Sequence, residues 1–228
     1  MPPPVPTWRR MRTLEQLVAR EESALPVLLQ ALRSAEANPC EVLPPDKGLA
    51  SETLVELQQG TDTFLGTVAF HTGGLSFHHG FLRVLGSGED AVRSLRRWSR
   101  VTNALDEGYA LIADDVLGGF FALNRGGFAA EAEGGVFFLP PDRLEWQSLD
   151  VGYSEFLNWC VAGDYAQFYE PLGWEGWDGV ERPGWGDAFA FAPPPWTVEA
   201  QDLSRAERTV VPVGEIWRLK REFRATAG

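Results

Sequence analysis

The sequence YALIADDVLGGFFALN occupies residues 109–124. Two short runs of β-forming residues flank an Asp-Asp pair and a Gly-Gly pair, the composition of two strands and a tight connection. On the C-terminal side, residues 136–139 follow Gly134-Gly135 and read as a further strand, and 144–149 as the last of the sheet. Toward the N-terminus, residues 64–71, 75–79 and 81–85 are short, apolar and punctuated by glycine, so they also read as strands. Gly73-Gly74 then supplies a two-residue hairpin turn.

Helical patterns lie on both sides. Thr13 followed by Gln16 is a capping box ahead of Leu14, Leu17 and Val18. Leu25, Leu28, Leu29 and Leu32 form a second apolar stripe that stops before Asn38-Pro39. A third helix runs from about Lys47 to Gln58, and residues 92–101 make a short arginine-bearing one. After the strands, Ser154 caps a helix to about Ala162, Gly163-Asp164 breaks it, and residues 165–169 add a turn or two. A closing helix spans residues 213–223, with Ile216, Leu219 and Phe223 inward. Helices, then antiparallel hairpins, then helices define an α+β protein. The expected organisation is a Pro-rich disordered leader at 1–10 and a single α+β domain at 11–228. That domain carries an irregular Trp-, Gly- and Pro-rich loop at 174–196.

The chain has 228 residues, a net charge of −12 and 44% hydrophobic residues. That is enough apolar matter for a core. The acidity disfavours nucleic-acid binding, which needs Lys and Arg against phosphates. No run approaches the length of a membrane span. Cys40 and Cys160 lack metal-type or disulfide-framework spacing. The expectation is a cytoplasmic protein with free thiols and no cofactor, membrane or nucleic-acid partner.

Few residues suggest chemistry. With a turn at Gly73-Gly74, period two puts His71 and His78 on one polar face, while His79 points into the apolar side, buried. A metal there would need a third ligand, which the sequence does not place. Asp114-Asp115 could do acid-base work, but carboxylates ahead of Gly118-Gly119 more simply accept backbone N–H groups in a turn. Arg93, Arg96, Arg97 and Arg100 share one helical face, for which pairing with the acidic C-terminal half is expected.

The other signal lies between Leu144 and Glu181. Glu145, Asp150, Glu155, Asp164, Glu170, Glu175, Asp178 and Glu181 occur there without a single Lys, Arg or His, among nine aromatic residues. Through Tyr169 the spacing points rings inward and acids outward. From Trp174 onward helical patterning ends, so Trp174, Glu175, Trp177, Asp178 and Trp185 are the candidate surface for a basic protein partner.

The segments MRTLEQLV, EVLPPD, HTGGLSFHHGFLRVLGSG, ADDVLGGFFALN, LEWQSLDVGYSEFLNWCVAGDYAQFYEPLGWEGW and FAFAPPPWT occur here in order. In them the chain resembles DUF family 2625, a bacterial family known as a domain of unknown function. More distantly, the strand–Asp turn–Gly–strand unit at 112–124 and the YSEFLNW helix are similar to the SUKH superfamily of Smi and Knr-like and Syd-like proteins. That resemblance implies a curved, mostly antiparallel sheet flanked by N-terminal and C-terminal helices. It also implies an immunity-like role, neutralising a polymorphic toxin, often a nuclease, and it carries over no catalytic residue. The expected function is therefore non-enzymatic binding of a basic toxin or nuclease. Its rivals are a metal-dependent enzyme using His71, His78 and the Asp114-Asp115 turn, and a small-ligand or glycan binder at the Trp-rich loop.

Overall fold

The computed structural model describes residues 11–18, 22–88, 93–128, 132–172, 182–200, 203 and 205–227. Among these, seven strands form one antiparallel sheet in sequence order: β1 (Cys40–Leu43), β2 (Gly74–Phe77), β3 (Leu82–Leu85), β4 (Tyr109–Asp115), β5 (Phe120–Asn124), β6 (Gly135–Leu139) and β7 (Gln147–Gly152). Each strand pairs with the next, so the sheet is a meander. β4 and β5 are buried along their whole lengths, which explains why both read as continuous apolar runs rather than alternating ones.

Helices cover the sheet: α1 (Leu14–Leu17), α2 (Leu25–Arg33), α3 (Lys47–Leu57), α4 (Phe64–His71), α5 (Leu95–Val101), α6 (Tyr153–Ala162), α7 (Tyr165–Tyr169) and α8 (Val213–Ala227). Asp46 caps α3, its carboxylate accepting from the backbone N–H groups of Gly48 and Leu49 at 2.9 Å. α4 packs on α2, α3 and α6, and α5 packs on β4. The core cluster draws residues from Leu28 to Trp217, with Val68, Leu111, Phe121, Phe156 and Tyr169 at its centre. The fold is α+β, as the alternation of patterns predicts.

Several segments differ from their sequence pattern. Residues 64–71 are helix α4 rather than a strand. Thr63 caps it, accepting from the Gly66 N–H at 3.1 Å, and burial among three other helices outweighs the β-propensity of the run. Gly73-Gly74 is therefore not a hairpin turn; it is the entry into β2. The hairpin turn lies at His78-His79-Gly80, all with positive φ. Residues 40–43 form the edge strand β1. At α6 the cap is Gly152 rather than Ser154, and the Glu155 carboxylate accepts from the Gly152 N–H at 2.8 Å. The stretch expected to be irregular contains β8 (Asp187–Ala192), which pairs with β9 (Glu207–Pro212) in a small second sheet on which α8 packs. Within α8, Ile216 and Trp217 face inward while Phe223 is exposed.

Candidate functional site

The acidic pair at the end of β4 is the organising centre. Asp114 and Asp115 are fully buried, as is Arg83 of β3, which lies opposite Asp114 in the strand register. Arg83 Nε donates to Asp114 Oδ1 at 2.7 Å, and its Nη2 lies 2.6 Å from the same oxygen. Arg93 comes in from the other side, with Nη1 donating to Asp114 Oδ2 at 2.6 Å and Nη2 to Oδ1 at 3.0 Å. One carboxylate thus receives two guanidinium groups, one of them bidentate. Burial lowers the Arg83 pKa from its ordinary value, and the Asp114 charge offsets only part of that.

Both arginines use their remaining donors on one segment downstream. Arg83 Nη1 donates to the carbonyls of Gly184, at 3.1 Å, and Asp187, at 2.5 Å. Arg93 Nε donates to the Trp185 carbonyl at 3.1 Å, and its guanidinium lies over the Trp98 and Trp185 rings, 5.6 and 5.9 Å from their centroids. The Trp185 ring in turn covers Gly74. A Cβ there would sit 2.8 Å from the ring, so glycine makes room for it.

Asp115 faces a different set of groups. Its Oδ1 accepts from the backbone N–H groups of Leu117, at 2.9 Å, and Gly119, at 2.8 Å, which fixes the turn between β4 and β5. Gly119 is required because a Cβ would fall 2.2 Å from Asp115 Oδ2. That second oxygen accepts from the Tyr169 hydroxyl at 3.1 Å. Burial pushes the Asp115 carboxyl up to about 6, opposed by the Gly119 and Tyr169 hydrogen bonds.

Tyr169 and Leu172, both buried, end the chain on one side of residues 173–181; Arg182, Gly184 and Trp185 resume it on the other. Arg182 lies 5.0 Å over the Phe81 ring. The adjacent acids therefore anchor both flanks of that segment, Asp115 through Tyr169 and Asp114 through its two arginines. Of the candidate surface residues, Trp174, Glu175, Trp177 and Asp178 lie outside the described residues. Trp185 is half-buried, held by Arg93 and Gly74 at the downstream anchor.

The turn reading of Asp115, Gly118 and Gly119 agrees with these contacts. Asp114 does something the sequence reading missed: it joins three elements through Arg83, a lone cation in the apolar strand LRVL. Such a cation in a central strand is itself a signal of a buried partner. The paired-histidine geometry is not present. His71 ends α4, whereas His78 sits in the β2–β3 turn, its Nε2 2.8 Å from Asn38 Oδ1 and its ring 4.7 Å from Tyr165. His79 is exposed, not buried. Of the expected arginine face, Arg93 lies ahead of α5 and reaches Asp114 and the Trp185 carbonyl, whereas Arg96 and Arg100 on α5 pair with acids of the N-terminal half rather than the C-terminal one. Arg96 lies 2.6 Å from Glu52 and also bonds Glu56, and Arg100 lies 2.8 Å from Glu56.

These features define an α+β meander protein built around a buried Arg–Asp–Arg clamp. The chain belongs to the family described as Protein of unknown function DUF2625, whose model matches residues 14–216. It is 38% identical to the uncharacterised protein YbfG of Escherichia coli (strain K12), over 95% of this chain and 99% of that one. It is 39% identical to an uncharacterised protein of Haemophilus influenzae (strain ATCC 51907 / DSM 11121 / KW20 / Rd), over 80% of this chain and 82% of that one.

Proposed function

We propose that this protein is a non-enzymatic binding domain that captures a basic protein partner through the connection at 173–181. The observation that carries the reading is the double anchor: both flanks of that connection are tied to Asp114 and Asp115 in the buried core. Binding residues sit on connections held by rigid scaffolds. This connection carries Trp174, Glu175, Trp177, Asp178 and Glu181 with no basic residue. Large rings supply contact area, and the acids attract a cationic surface and repel wrong partners.

Burial of both anchoring carboxylates also supports binding over catalysis, because neither is open to a substrate. The likeness of the 112–124 unit and the following helix to the SUKH superfamily supports an immunity-like task, neutralising a basic toxin or nuclease. A cytoplasmic setting accords with the free thiols of Cys40 and Cys160. The experiment is to co-express the protein with the products of adjacent genes, purify any complex, and measure its affinity with Trp174→Ala and Glu175→Lys. Loss of affinity in these variants supports the reading. Unchanged affinity in both removes this surface from it.

A further inference from the structure

A second site lies on α8 and stands independently of partner capture at residues 173–181. Between α8, the start of β4 and residues 144–146 there is a cleft of about 300 Å³, at the small end of the range for ligand pockets. Three rings form its walls: Tyr109, Trp146 and Trp217. The Tyr109 and Trp146 centroids are 5.5 Å apart, and those of Trp146 and Trp217 are 6.4 Å apart. The Trp217 indole N–H is buried and has no acceptor among the described residues.

The charges at this cleft run against those of the chain. Lys220, Arg221 and Arg224 line it with Glu107 as the only carboxylate among its lining residues, in a protein of net charge −12. Glu107 is already engaged, accepting from the Tyr109 hydroxyl at 2.9 Å and pairing with Arg221 at 2.7 Å. Lys220 donates inward to the carbonyls of Pro140, Pro141 and Arg143 at 2.7–3.0 Å, and burial lowers its pKa to about 7, so Arg221 and Arg224 carry the permanent positive charge at the cleft. Arg224 is exposed and has no carboxylate partner among the described residues. A cationic rim with an unpaired guanidinium over an aromatic floor suits an anion with a flat apolar body.

We propose that this cleft binds a small aromatic carboxylate, its ring against Trp146 and Trp217 and its carboxylate on Arg224 and Arg221. A charge-assisted hydrogen bond contributes enough to change affinity about tenfold or more. The test titrates the full chain with 1-naphthoate and with its neutral counterpart 1-naphthamide, following tryptophan fluorescence, for wild type, Arg224→Gln and Trp146→Leu. The expected result is saturable binding of the naphthoate, about tenfold or more tighter than the amide. Arg224→Gln should remove that preference while leaving the amide unaffected, and Trp146→Leu should weaken both. Equal affinity for acid and amide, an Arg224→Gln variant that binds like wild type, or no saturable binding below about 1 mM overturns the proposal. Arg224 is exposed, so its variant tests the site without disturbing the core.

Discussion

The Tyr169 hydroxyl donates to the Asp115 carboxylate at 3.1 Å across 54 residues of chain, and that same carboxylate holds the backbone turn that follows it. One residue earlier, Asp114 binds the two arginines that hold Gly184, Trp185 and Asp187. Two adjacent side chains thus fix segments that the sequence places far apart. Removing either has consequences that can be measured separately.

Asp114→Ala leaves two buried guanidinium groups without their counter-charge. Breaking a buried pair by deleting one partner costs about 3–5 kcal/mol, so urea denaturation should show a loss of that order. A loss below about 1 kcal/mol is the behaviour of an exposed pair and would contradict the clamp.

Asp115 gives the protein a pH signature. Its folded-state pKa, about 6, lies above the ordinary 3.8, with burial as the main cause. The folded protein therefore holds this proton more tightly than the unfolded chain. The contribution to stability is fully present below about 4 and is lost as pH rises through about 6. Asp115→Asn cannot titrate, so the stability of wild type relative to this variant should increase from pH 7 to pH 4, by on the order of 1–3 kcal/mol. Paired urea curves at the two pH values check it; a difference that is flat or grows with pH would refute the assignment.

Gly74 tests the downstream anchor. Its φ of +151° is one that side chains rarely adopt, and a Cβ would lie 2.8 Å from both the Trp185 ring and the Val84 carbonyl. Gly74→Ala should cost about 2 kcal/mol or more. Adding Trp185→Ala should recover only part of this, because the carbonyl and the backbone strain remain. A double-mutant cycle with no coupling would show that the ring does not press on Gly74.

Much of this fold is legible in the sequence because its central strands are bounded by turn chemistry. Asp115 and Gly118-Gly119 mark the β4–β5 connection, and Asp46 and Asp164 cap helices that patterning alone locates. Residues 64–71 were not legible, since a short, uniformly apolar run fits a buried helix as well as a strand, and packing on α2, α3 and α6 decides between them. β1 and β9 escaped because half-exposed edge strands carry little apolar pattern. The site was only half legible: the acidic pair was visible, but Arg83, Arg93 and Tyr169 meet it through tertiary contacts spanning 21 to 54 residues. The aromatic rings before residue 170 face inward and their acids outward, as their spacing indicates. Tyr153, Phe156, Tyr165 and Tyr169 are buried, whereas Asp150, Glu155 and Asp164 are exposed.

The proposed capture of a basic partner rests on residues 173–181, whose two flanks are tied to Asp115 and Asp114. Its most direct test is the dissociation constant of the purified complex with an adjacent-gene product, measured by calorimetry for wild type and Glu175→Lys. The charge reversal should weaken binding about tenfold or more, by an amount that shrinks as salt rises. An unchanged dissociation constant at low salt would contradict it.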